Sequence, residues 1–468
     1  MHNLLKSDLD HLRDILESAL QLAHRYLQTL PERAVSLAPY SLPILDIAQA
    51  GNGTEKALAI FLQRYFPGLT ASSGPRSFGY VVGGATPAAI IGDWLTSAFD
   101  QDNGEGITIH LEDEAVNLMR QLFGLSNRHF GAFVSGATIS NFVGLAIARQ
   151  WIAHQQGVDI AKEGLYRFPP IKVFSGKPHA SIYKALSMLG MGRDSVIEVA
   201  CLPNSEAINL AELKQQLEKL SAMPAIIVAN AGTVNTTSFD DFVAINELKR
   251  EYNCWLHVDA AFGMFTACSP QLSHLVQGVD EADSIAIDAH KWLNVPYDSA
   301  IQFTKHPQLQ RQVFQNTNAA YLGELTGMID YMNHTPETSR RLRALTIWFT
   351  LMAYGRDGYR EIVERCCAMA QLLSSKIAES KLFRLLTPTN LNVVCFTFSD
   401  PVERITTARV NHYLSRLTED GKVFLTPTIY QGVPGIRAAL CNWRTTAIDI
   451  EIAWEAITRC AQADCQDD

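Results

Sequence analysis

The sequence predicts an α/β protein: a large domain with a mostly parallel sheet, followed by a small C-terminal α+β domain. Between residues 105 and 335, short apolar runs alternate with helical patterns, which is typical of parallel strands joined by helices on both faces of a sheet. From about residue 336, longer helical patterns replace this alternation. Because 468 residues exceed a single hydrophobic core, we expect a helical segment over 1–70, a large domain over 71–335 and a small domain over 336–468.

The N-terminal segment carries apolar residues at helical spacing over residues 3–29, and Pro31 ends the pattern. A helix without a partner in its own domain often packs on a second subunit. This segment therefore indicates a homodimer.

The large domain begins with a loop rich in glycine and aromatic residues over Gly74–Pro87. A helix is expected over about 112–124, and the stretch Phe133–Asn141 leads into another that ends near Gln155. Strands are predicted at Phe133–Val134, Ile171–Phe174, Val196–Ala200, Ala225–Ala229, Trp255–Val258, Ile285–Ile287 and Ala300–Phe303. Helices are predicted between several of them, at Ser181–Leu189, Glu206–Leu220 and Asp241–Glu251. Ligands in such sheets bind outside the carboxyl ends of the strands, so the site is expected there.

The small domain has the remaining patterns. Helices are predicted at Ser339–Tyr354, Tyr359–Glu379, Arg404–Leu417 and Asp449–Ala461, and strands at Val393–Phe398, Val423–Leu425 and Ile436–Leu440.

The composition excludes several classes of function. A formal net charge of −9 argues against broad binding to nucleic acid or to anionic membranes, and no apolar run approaches the length of a membrane helix. The nine cysteines lack CxxC spacing, which favours reduced thiols and a cytoplasmic protein. No motif with metal-ligand spacing is present, so no metal site is expected.

One lysine carries the main functional prediction. Lys291 follows the apolar run Ser284–Ile287 and precedes Trp292, whereas lysines are usually solvated surface charges. Partial desolvation makes the neutral amine accessible, and a neutral amine can form a Schiff base. We interpret Lys291 as the residue that holds pyridoxal 5'-phosphate.

Such a cofactor needs a carboxylate that keeps its pyridine nitrogen protonated, so that the ring acts as an electron sink. Asp259 ends an apolar strand 32 residues before the lysine, far enough for one crossover connection. Asp259 could instead cap a following helix. Its pairing with a lysine of buried type favours the role at the ring nitrogen.

The cofactor also needs an anion site and a group that holds its ring. Ser135–Ser140 lies at a strand-to-helix turn, where free backbone N–H groups and hydroxyls can bind phosphate or merely cap the helix. His290 could add a phosphate contact. His179 begins a helix after a strand and could stack on the ring, although many such histidines are only polar surface. Thr233 lies in a further loop at the same edge.

At this point the sequence resembles the group II pyridoxal-phosphate-dependent decarboxylases, a family that includes aromatic-L-amino-acid and glutamate decarboxylases. The resemblance rests on His290-Lys291-Trp292 and His257–Ala261 and spans the chain from Gly83 to Thr445. It implies the type I fold of pyridoxal-phosphate enzymes and an obligate dimer with active sites at the interface.

The resemblance also assigns roles. Lys291 is implied as the Schiff-base lysine, Asp259 as the partner of the pyridine nitrogen, and Ala261 and His179 as contacts on the two ring faces. Phosphate contacts are implied for Ala137, Thr138 and His290. Tyr331 matches a mobile-loop tyrosine that protonates the carbanion after carbon dioxide leaves.

Two positions depart from the family pattern. Val234 stands where many relatives have threonine, and Asp288 stands where some relatives have asparagine near the phosphate. An acid at position 288 would repel phosphate unless it points away or pairs with a cation, so Asp288 is left out of the predicted phosphate site.

Substrate choice rests on the predicted pocket walls. Phe78 and Tyr80 offer flat apolar surface and favour an aromatic amino acid. An acidic substrate would need a buried arginine, for which Arg76 and Arg444 are candidates. A diamino acid would need a carboxylate, which Glu112 or Asp113 could supply across the interface.

Other outcomes stay open. The same cofactor could support an aldehyde synthase, a transaminase or a lyase, and a pyridoxal-phosphate-binding protein without catalysis is a further alternative. A complete set of cofactor residues disfavours the last.

Overall fold

The structure is a computed structural model that describes residues 1–38, 41–101, 106–166, 168–220, 224–316 and 330–467, with side chains up to residue 462. In these ranges the helices are α1 Asn3–Asp10, α2 Leu12–Thr29, α3 Thr54–Arg64, α4 Pro87–Phe99, α5 Ile107–Leu122, α6 Ala137–His154, α7 Ile160–Glu163, α8 Ala180–Met188, α9 Leu210–Glu218, α10 Phe242–Glu251, α11 Pro307–Phe314, α12 Arg343–Glu379, α13 Thr407–Asp420 and α14 Ala447–Asp467. The strands are β1 Phe130–Val134, β2 Val173–Ser175, β3 Val196–Glu198, β4 Ile226–Asn230, β5 Trp255–Asp259, β6 Ser284–Asp288, β7 Ala300–Thr304, β8 Phe383–Leu385, β9 Val393–Phe398, β10 Thr426–Tyr430 and β11 Val433–Ala439.

Within the described chain, β1–β7 form one sheet in the order β1-β7-β6-β5-β4-β2-β3. Every strand except β7 runs in the same direction, because β7 is antiparallel to both of its neighbours. In the register of the parallel strands, Asn230 pairs with Asp259 and Asp259 with Ala286, so these strands end along a common edge. The predicted α/β class with a mostly parallel sheet is confirmed.

Apolar side chains cover both faces of this sheet. One face packs with α5 and α12, and the other packs with α6 and α8. α6 crosses β5, β6 and β7, which places its N-terminus at the edge where the parallel strands β5 and β6 end. The sheet is buried on both sides, as expected for parallel strands joined by helices.

A second, antiparallel sheet with the order β10-β11-β9-β8 forms the C-terminal part, together with α13 and α14. α12 connects the two parts and breaks at Gly355, whose φ of 55° is compatible with glycine in the left-handed region. The break separates the two helical patterns predicted on either side of it. The division of the chain at residues 70 and 335 remains a prediction.

Three details differ from the sequence prediction. The N-terminal pattern forms two helices that meet at His11, and α4 follows the glycine-rich loop where no helix was predicted. The strand predicted at Val423–Leu425 lies further along, at β10. β10 contains Pro427, which the strand tolerates because it lies at the edge of its sheet. In the described part of the chain, no helix is both long and apolar enough to cross a membrane.

Candidate active site

A cavity of about 630 Å³ opens at the edge where the parallel strands end. Residues that follow β1, β2, β4, β5 and β6 form its wall, and β10 and β11 close it from the small sheet. Of the residues predicted from the sequence, the wall contains Tyr80, Ala137, Thr138, His179, Thr233, Asp259, Ala261, His290 and Lys291. The edge of the parallel sheet therefore brings these residues together.

Lys291 lies in the turn after β6, and its side chain is 18% exposed. Its Nζ is 3.2 Å from Oδ2 of Asp288 and 5.9 Å from the centre of the Phe262 ring. Gly83 contacts the backbone of the lysine: a Cβ there would lie 1.7 Å from the Lys291 carbonyl oxygen. Only glycine permits this approach, which fixes the lysine turn against the glycine-rich loop.

Asp259 is the last residue of β5, and the residue is 6% exposed. Its Oδ2 accepts a hydrogen bond from Nδ2 of Asn141 at 3.0 Å, and its Oδ1 accepts one from the backbone N–H of Ala261 at 3.2 Å. Two N–H groups from different elements thus orient the carboxylate at the cavity wall.

Asp288, left out of the predicted site, also lines the cavity. Its Oδ1 accepts a hydrogen bond from the backbone N–H of Ala137 at 3.0 Å, and its Oδ2 is 3.2 Å from Nε2 of His290 and 3.2 Å from Nζ of Lys291. Burial alone would raise the pKa of this carboxyl, but Lys291 and His290 together hold it below its ordinary value. The repulsion expected between Asp288 and a phosphate is therefore offset by the contacts of Asp288 with Lys291 and His290 and by the N-terminus of α6.

His179 immediately precedes α8, where its side chain has a structural contact and also faces the cavity. Its Nδ1 accepts a hydrogen bond from the Ser181 backbone N–H at 3.2 Å and thereby caps the helix, while the ring lines the cavity. Although the residue is accessible through the open cavity, desolvation by the surrounding protein lowers the pKa of the imidazole, which favours the neutral ring.

Thr233 lies after β4 and is buried. Its Oγ1 accepts a hydrogen bond from the Ser238 backbone N–H at 3.0 Å and lies 3.0 Å from Oγ1 of Thr236. Val234, the departure from the family pattern, is 40% exposed and supplies no hydroxyl to the cavity that it lines.

Comparison with known proteins gives the family. Residues 48–399 match the model described as the pyridoxal-dependent decarboxylase conserved domain, which is well over half of the chain. The chain belongs to the pyridoxal-dependent decarboxylase family.

Curated relatives span several activities. The chain is 27% identical to an aromatic-L-amino-acid decarboxylase of Bacillus atrophaeus, over 84% of this chain and 83% of the relative. It is 25% identical to a phenylacetaldehyde synthase of Petunia hybrida, over 92% and 88%. An aspartate 1-decarboxylase of Aliivibrio fischeri is 31% identical over 69% of this chain and 64% of the relative.

Solved structures share the fold. The crystal structure of Oryza sativa TDC with PLP and tryptamine superposes with a TM-score of 0.88 at 20% identity, covering 97% of this chain and 98% of that one. The apo form of mouse CSAD superposes with a TM-score of 0.87 at 21% identity, covering 97% and 99%. The predicted type I fold is therefore confirmed.

The residues present fit pyridoxal 5'-phosphate, the cofactor of the family. The cavity offers an amine at Lys291, a carboxylate at Asp259 and the N-terminus of α6 as an anion site. The buried Nδ1 of His290 has no hydrogen-bond partner among the described residues, which leaves it free for an incoming polar group. The volume lies in the ordinary range for small-molecule sites.

Two residues predicted for the site, Phe78 and Tyr331, do not line the cavity of about 630 Å³. Phe78 is 1% exposed and packs in the apolar core of the small sheet, so the expectation that it lines the substrate pocket is wrong for the chain as described. Tyr331 is also buried and donates a hydrogen bond from its hydroxyl to Oδ1 of Asp113 at 2.6 Å. It lines a separate cavity of about 300 Å³ with Asp113.

The predicted substrate arginines are engaged away from the cavity. Nη1 of Arg76 lies 3.0 Å from Oδ1 of Asp449, and the guanidinium of Arg444 lies over the ring of Trp443. Of the proposed carboxylates, Glu112 forms two hydrogen bonds, of 3.0 and 2.8 Å, with the guanidinium of Arg340.

Two residues of the site were not predicted from the sequence: Arg437, which lines the cavity, and Asn141, which donates a hydrogen bond to Asp259. Arg437 lines the cavity from β11 and is buried; its Nε donates to the Val234 carbonyl at 2.7 Å and its Nη1 to the Tyr80 carbonyl at 2.8 Å. A charged residue inside the apolar run Ile436–Leu440 was the available signal. Asn141 gave no comparable signal, since its importance depends on contacts with residues more than 100 positions away.

Proposed function

We propose that this protein removes the α-carboxylate of an L-amino acid as carbon dioxide and releases the corresponding amine. The observation that carries the proposal is that Lys291 and Asp259 line one cavity in a chain of the pyridoxal-dependent decarboxylase family. Bound pyridoxal phosphate supplies an electron sink for the pair that remains when the carboxylate leaves.

The roles of the individual residues follow from their chemistry. Lys291 would supply the amine that holds the cofactor. Asp259 would be the partner of the pyridine nitrogen and would keep it protonated. Ala261 and His179 would contact the ring, Ala137, Thr138 and His290 would hold the phosphate, and Thr233 would add a further contact.

Tyr331 is proposed as the proton donor to the α-carbon, on the basis of the family resemblance. In a single chain its hydroxyl is bound to Asp113 and lies outside the cavity wall, so this function requires a movement of Tyr331 or the arrival of the residue from a second subunit. A Tyr331→Phe variant lacks this proton donor and should release less amine; with dissolved dioxygen as the oxidant, aldehyde, ammonia and hydrogen peroxide should form in its place. Ammonia and peroxide, measured beside carbon dioxide, would reveal an aldehyde synthase; a transaminase or lyase would release no carbon dioxide.

An aromatic substrate is favoured. Tyr80 and Tyr297 present exposed rings at the cavity, and Phe262 adds a buried one. Such surfaces suit an aromatic side chain. Curated relatives that act on aromatic amino acids, such as tryptophan decarboxylase 2 of Oryza sativa at 23% identity, support the same choice.

A second candidate is an acidic substrate such as aspartate. Arg437 is a buried cation at the cavity wall, and its Nε and Nη1 donate hydrogen bonds to backbone carbonyls. A guanidinium in that position can pair with a second carboxylate. The aspartate 1-decarboxylase relative supports this alternative. A diamino acid finds less support, because Glu112 is paired with Arg340 and Asp113 accepts the Tyr331 hydroxyl.

We further propose a homodimer with active sites at the interface, and a cytoplasmic location. α1 and α2 expose a row of leucines, Leu5, Leu9, Leu12, Leu16 and Leu20. Such a face suits burial against a second copy. The cysteines of the described residues are free thiols, which fits a reducing compartment.

The test is a panel of the common amino acids given to the purified holoprotein, with carbon dioxide and amine measured together. We expect release from tryptophan, tyrosine or phenylalanine at a higher rate than from aspartate or glutamate. The Lys291→Ala variant is the control and should release none. Absence of carbon dioxide from every amino acid would overturn the proposal.

A further inference from the structure

A chain of buried polar side chains runs beneath the cavity and ends at Asp259. It begins at Trp255, whose Nε1 lies 3.0 Å from Oγ of Ser284, and continues through a 2.8 Å contact from Ser284 Oγ to Nδ1 of His257. Nε2 of His257 lies 2.9 Å from Oδ1 of Asn141, and Nδ2 of Asn141 lies 3.0 Å from Oδ2 of Asp259. All five residues are buried, and three of them lie on β5.

The direction of every hydrogen bond in this chain is fixed by its two ends. Indole N–H can only donate, and the carboxylate of Asp259 can only accept. The amide of Asn141 must therefore turn Nδ2 toward Asp259, since the opposite orientation would place two oxygens together. Its Oδ1 then accepts from His257, so the imidazole carries its proton on Nε2 and accepts the Ser284 hydroxyl at Nδ1.

The same amide also determines the state of His179. Nδ2 of Asn141 lies 3.0 Å from Oγ of Ser181 and donates its second hydrogen there. The hydroxyl of Ser181 then donates to Nδ1 of His179 at 2.8 Å, because the backbone N–H of Ser181 already shows that this nitrogen is an acceptor. His179 is left with its remaining proton on Nε2. Asn141 thus joins the residue proposed at the ring nitrogen to the residue proposed at the ring face.

The packing around the chain is specific to it. Gly144 lies three residues after Asn141 on α6, and a Cβ there would come within 2.6 Å of the His257 ring. The helix approaches β5 closely enough for Asn141 to reach both His257 and Asp259 only because position 144 lacks a side chain. Hydrogen bonds in such a desolvated chain polarise one another, so each donor strengthens the next.

We propose that Asn141 is a positioning residue that holds the Asp259 carboxylate in the orientation needed to retain the proton on the pyridine nitrogen, with His257, Ser284 and Trp255 as the donors behind it. This inference rests on the proposed function. It assigns Asn141 an effect on the ring nitrogen through Asp259 rather than a contact with substrate.

The experiment uses holoprotein loaded with pyridoxal phosphate that is ¹⁵N-labelled at the ring, and follows the ¹⁵N shift against pH. In the Asn141→Ala variant, the Asp259 carboxylate loses one of the two donors that orient it and should turn away from the ring nitrogen. The pH at which that nitrogen loses its proton should then fall by about one unit, the size of one weakened interaction with a charged group. His257→Leu should give a smaller fall, whereas His257→Gln, which keeps a side-chain N–H, should approach the wild type. Asn246→Ala is the matched control, because Asn246 is equally buried but donates only to the carbonyls of Phe242 and Gly278.

An unchanged titration in both Asn141→Ala and His257→Leu would overturn the inference. The His257 pair decides the matter should Asn141→Ala fail to fold. A second readout needs no cofactor: in ¹⁵N-histidine-labelled apoprotein, His257 should be the Nε2–H tautomer, and an Nδ1–H tautomer would contradict the direction of the chain. If the wild type binds no pyridoxal phosphate, the proposed function fails, and the tautomer alone then decides the inference.

Discussion

At the scale of single residues, Asp288 is an acid inside the proposed anion site. Its carboxylate accepts a hydrogen bond from the backbone N–H of Ala137 at the start of α6 and forms an ion pair with Lys291. It therefore stands in the position where the proposed phosphate would be bound. The carboxylate lies 3.2 Å from Nζ of Lys291 in the apoprotein and must share the site with the phosphate in the holoprotein.

We expect Asp288→Asn to tighten binding of pyridoxal phosphate to the apoprotein by roughly tenfold, because a like charge near the phosphate is removed. The measurement is a fluorescence titration of apoprotein with the cofactor. Asp283→Asn is the control: Asp283 is a paired, largely buried carboxylate just before β6, away from the cavity. Weaker binding in Asp288→Asn would show that the carboxylate supports the phosphate site instead.

His257 gives the protein a dependence on pH. The imidazole is fully buried, and burial lowers its pKa to about 4. Between pH 6.5 and about pH 4, the unfolded chain binds a proton at His257 that the folded chain does not bind. The free energy of unfolding therefore decreases as the pH falls through this window.

From pH 7 to pH 5, this one group should reduce the free energy of unfolding by about 2 kcal/mol. Urea unfolding of the apoprotein at the two pH values measures the change. The His257→Gln variant, which has no group that titrates here, should lose less by about that amount. Equal losses in the variant and the wild type would contradict the assignment.

The residue scale also shows what sequence can and cannot predict. The positions of Lys291 and Asp259 at the cavity could be predicted because Asp259 ends an apolar strand and Lys291 follows one closely, and ligands bind at the edge where such strands end. Asn141 and Ser181 could not, because their function arises from contacts between elements that are far apart in sequence. Phe78 was assigned wrongly because an aromatic residue in a loop can pack inward as readily as line a pocket.

At the scale of elements, strand alternation predicted the parallel sheet but not the direction of β7. β6 ends at Asp288 and β7 begins at Ala300, a connection of eleven residues. This is short for a crossover helix, and an antiparallel strand is the consequence. The connection contains Lys291, so the reversal keeps the lysine turn next to the strand end that it follows.

α6 illustrates how packing overrides intrinsic preference. Alanine is a better helix former than glycine by about 1 kcal/mol, yet a Cβ at Gly144 would meet the His257 ring at 2.6 Å.

We therefore expect Gly144→Ala to destabilise the protein by about 1–3 kcal/mol, the usual cost of overpacking a buried contact. The midpoint of urea unfolding measures this loss of stability. The ¹⁵N titration of the ring nitrogen against pH should shift in the same direction as for Asn141→Ala. A more stable Gly144→Ala protein would mean that α6 lies further from β5 than described.

At the scale of the whole molecule, α1 and α2 carry a row of leucines that is exposed in the described part of a single chain. Leu16 and Leu20 are 59% and 51% exposed on α2. Their helical spacing was predictable from the sequence, whereas the surface that covers them was not, because it belongs to the proposed second copy.

We expect the double variant Leu16→Glu, Leu20→Glu to sediment as a monomer at concentrations where the wild type sediments as a dimer, because charges in an apolar interface are costly. Analytical ultracentrifugation measures this. Leu202→Glu, Val402→Glu is the control pair, with similar exposure outside α1 and α2. A double variant that stays dimeric would place the interface elsewhere.

The central claim is that the amine of Lys291 holds pyridoxal phosphate in the cavity that Asp259 lines. Borohydride reduction of the holoprotein, followed by peptide mapping with mass spectrometry, tests it most directly. We expect one reduced phosphopyridoxyl group per chain, on the peptide that contains Lys291, and no label after substitution of Lys291 by alanine. A label on another lysine, or none on any, would contradict it.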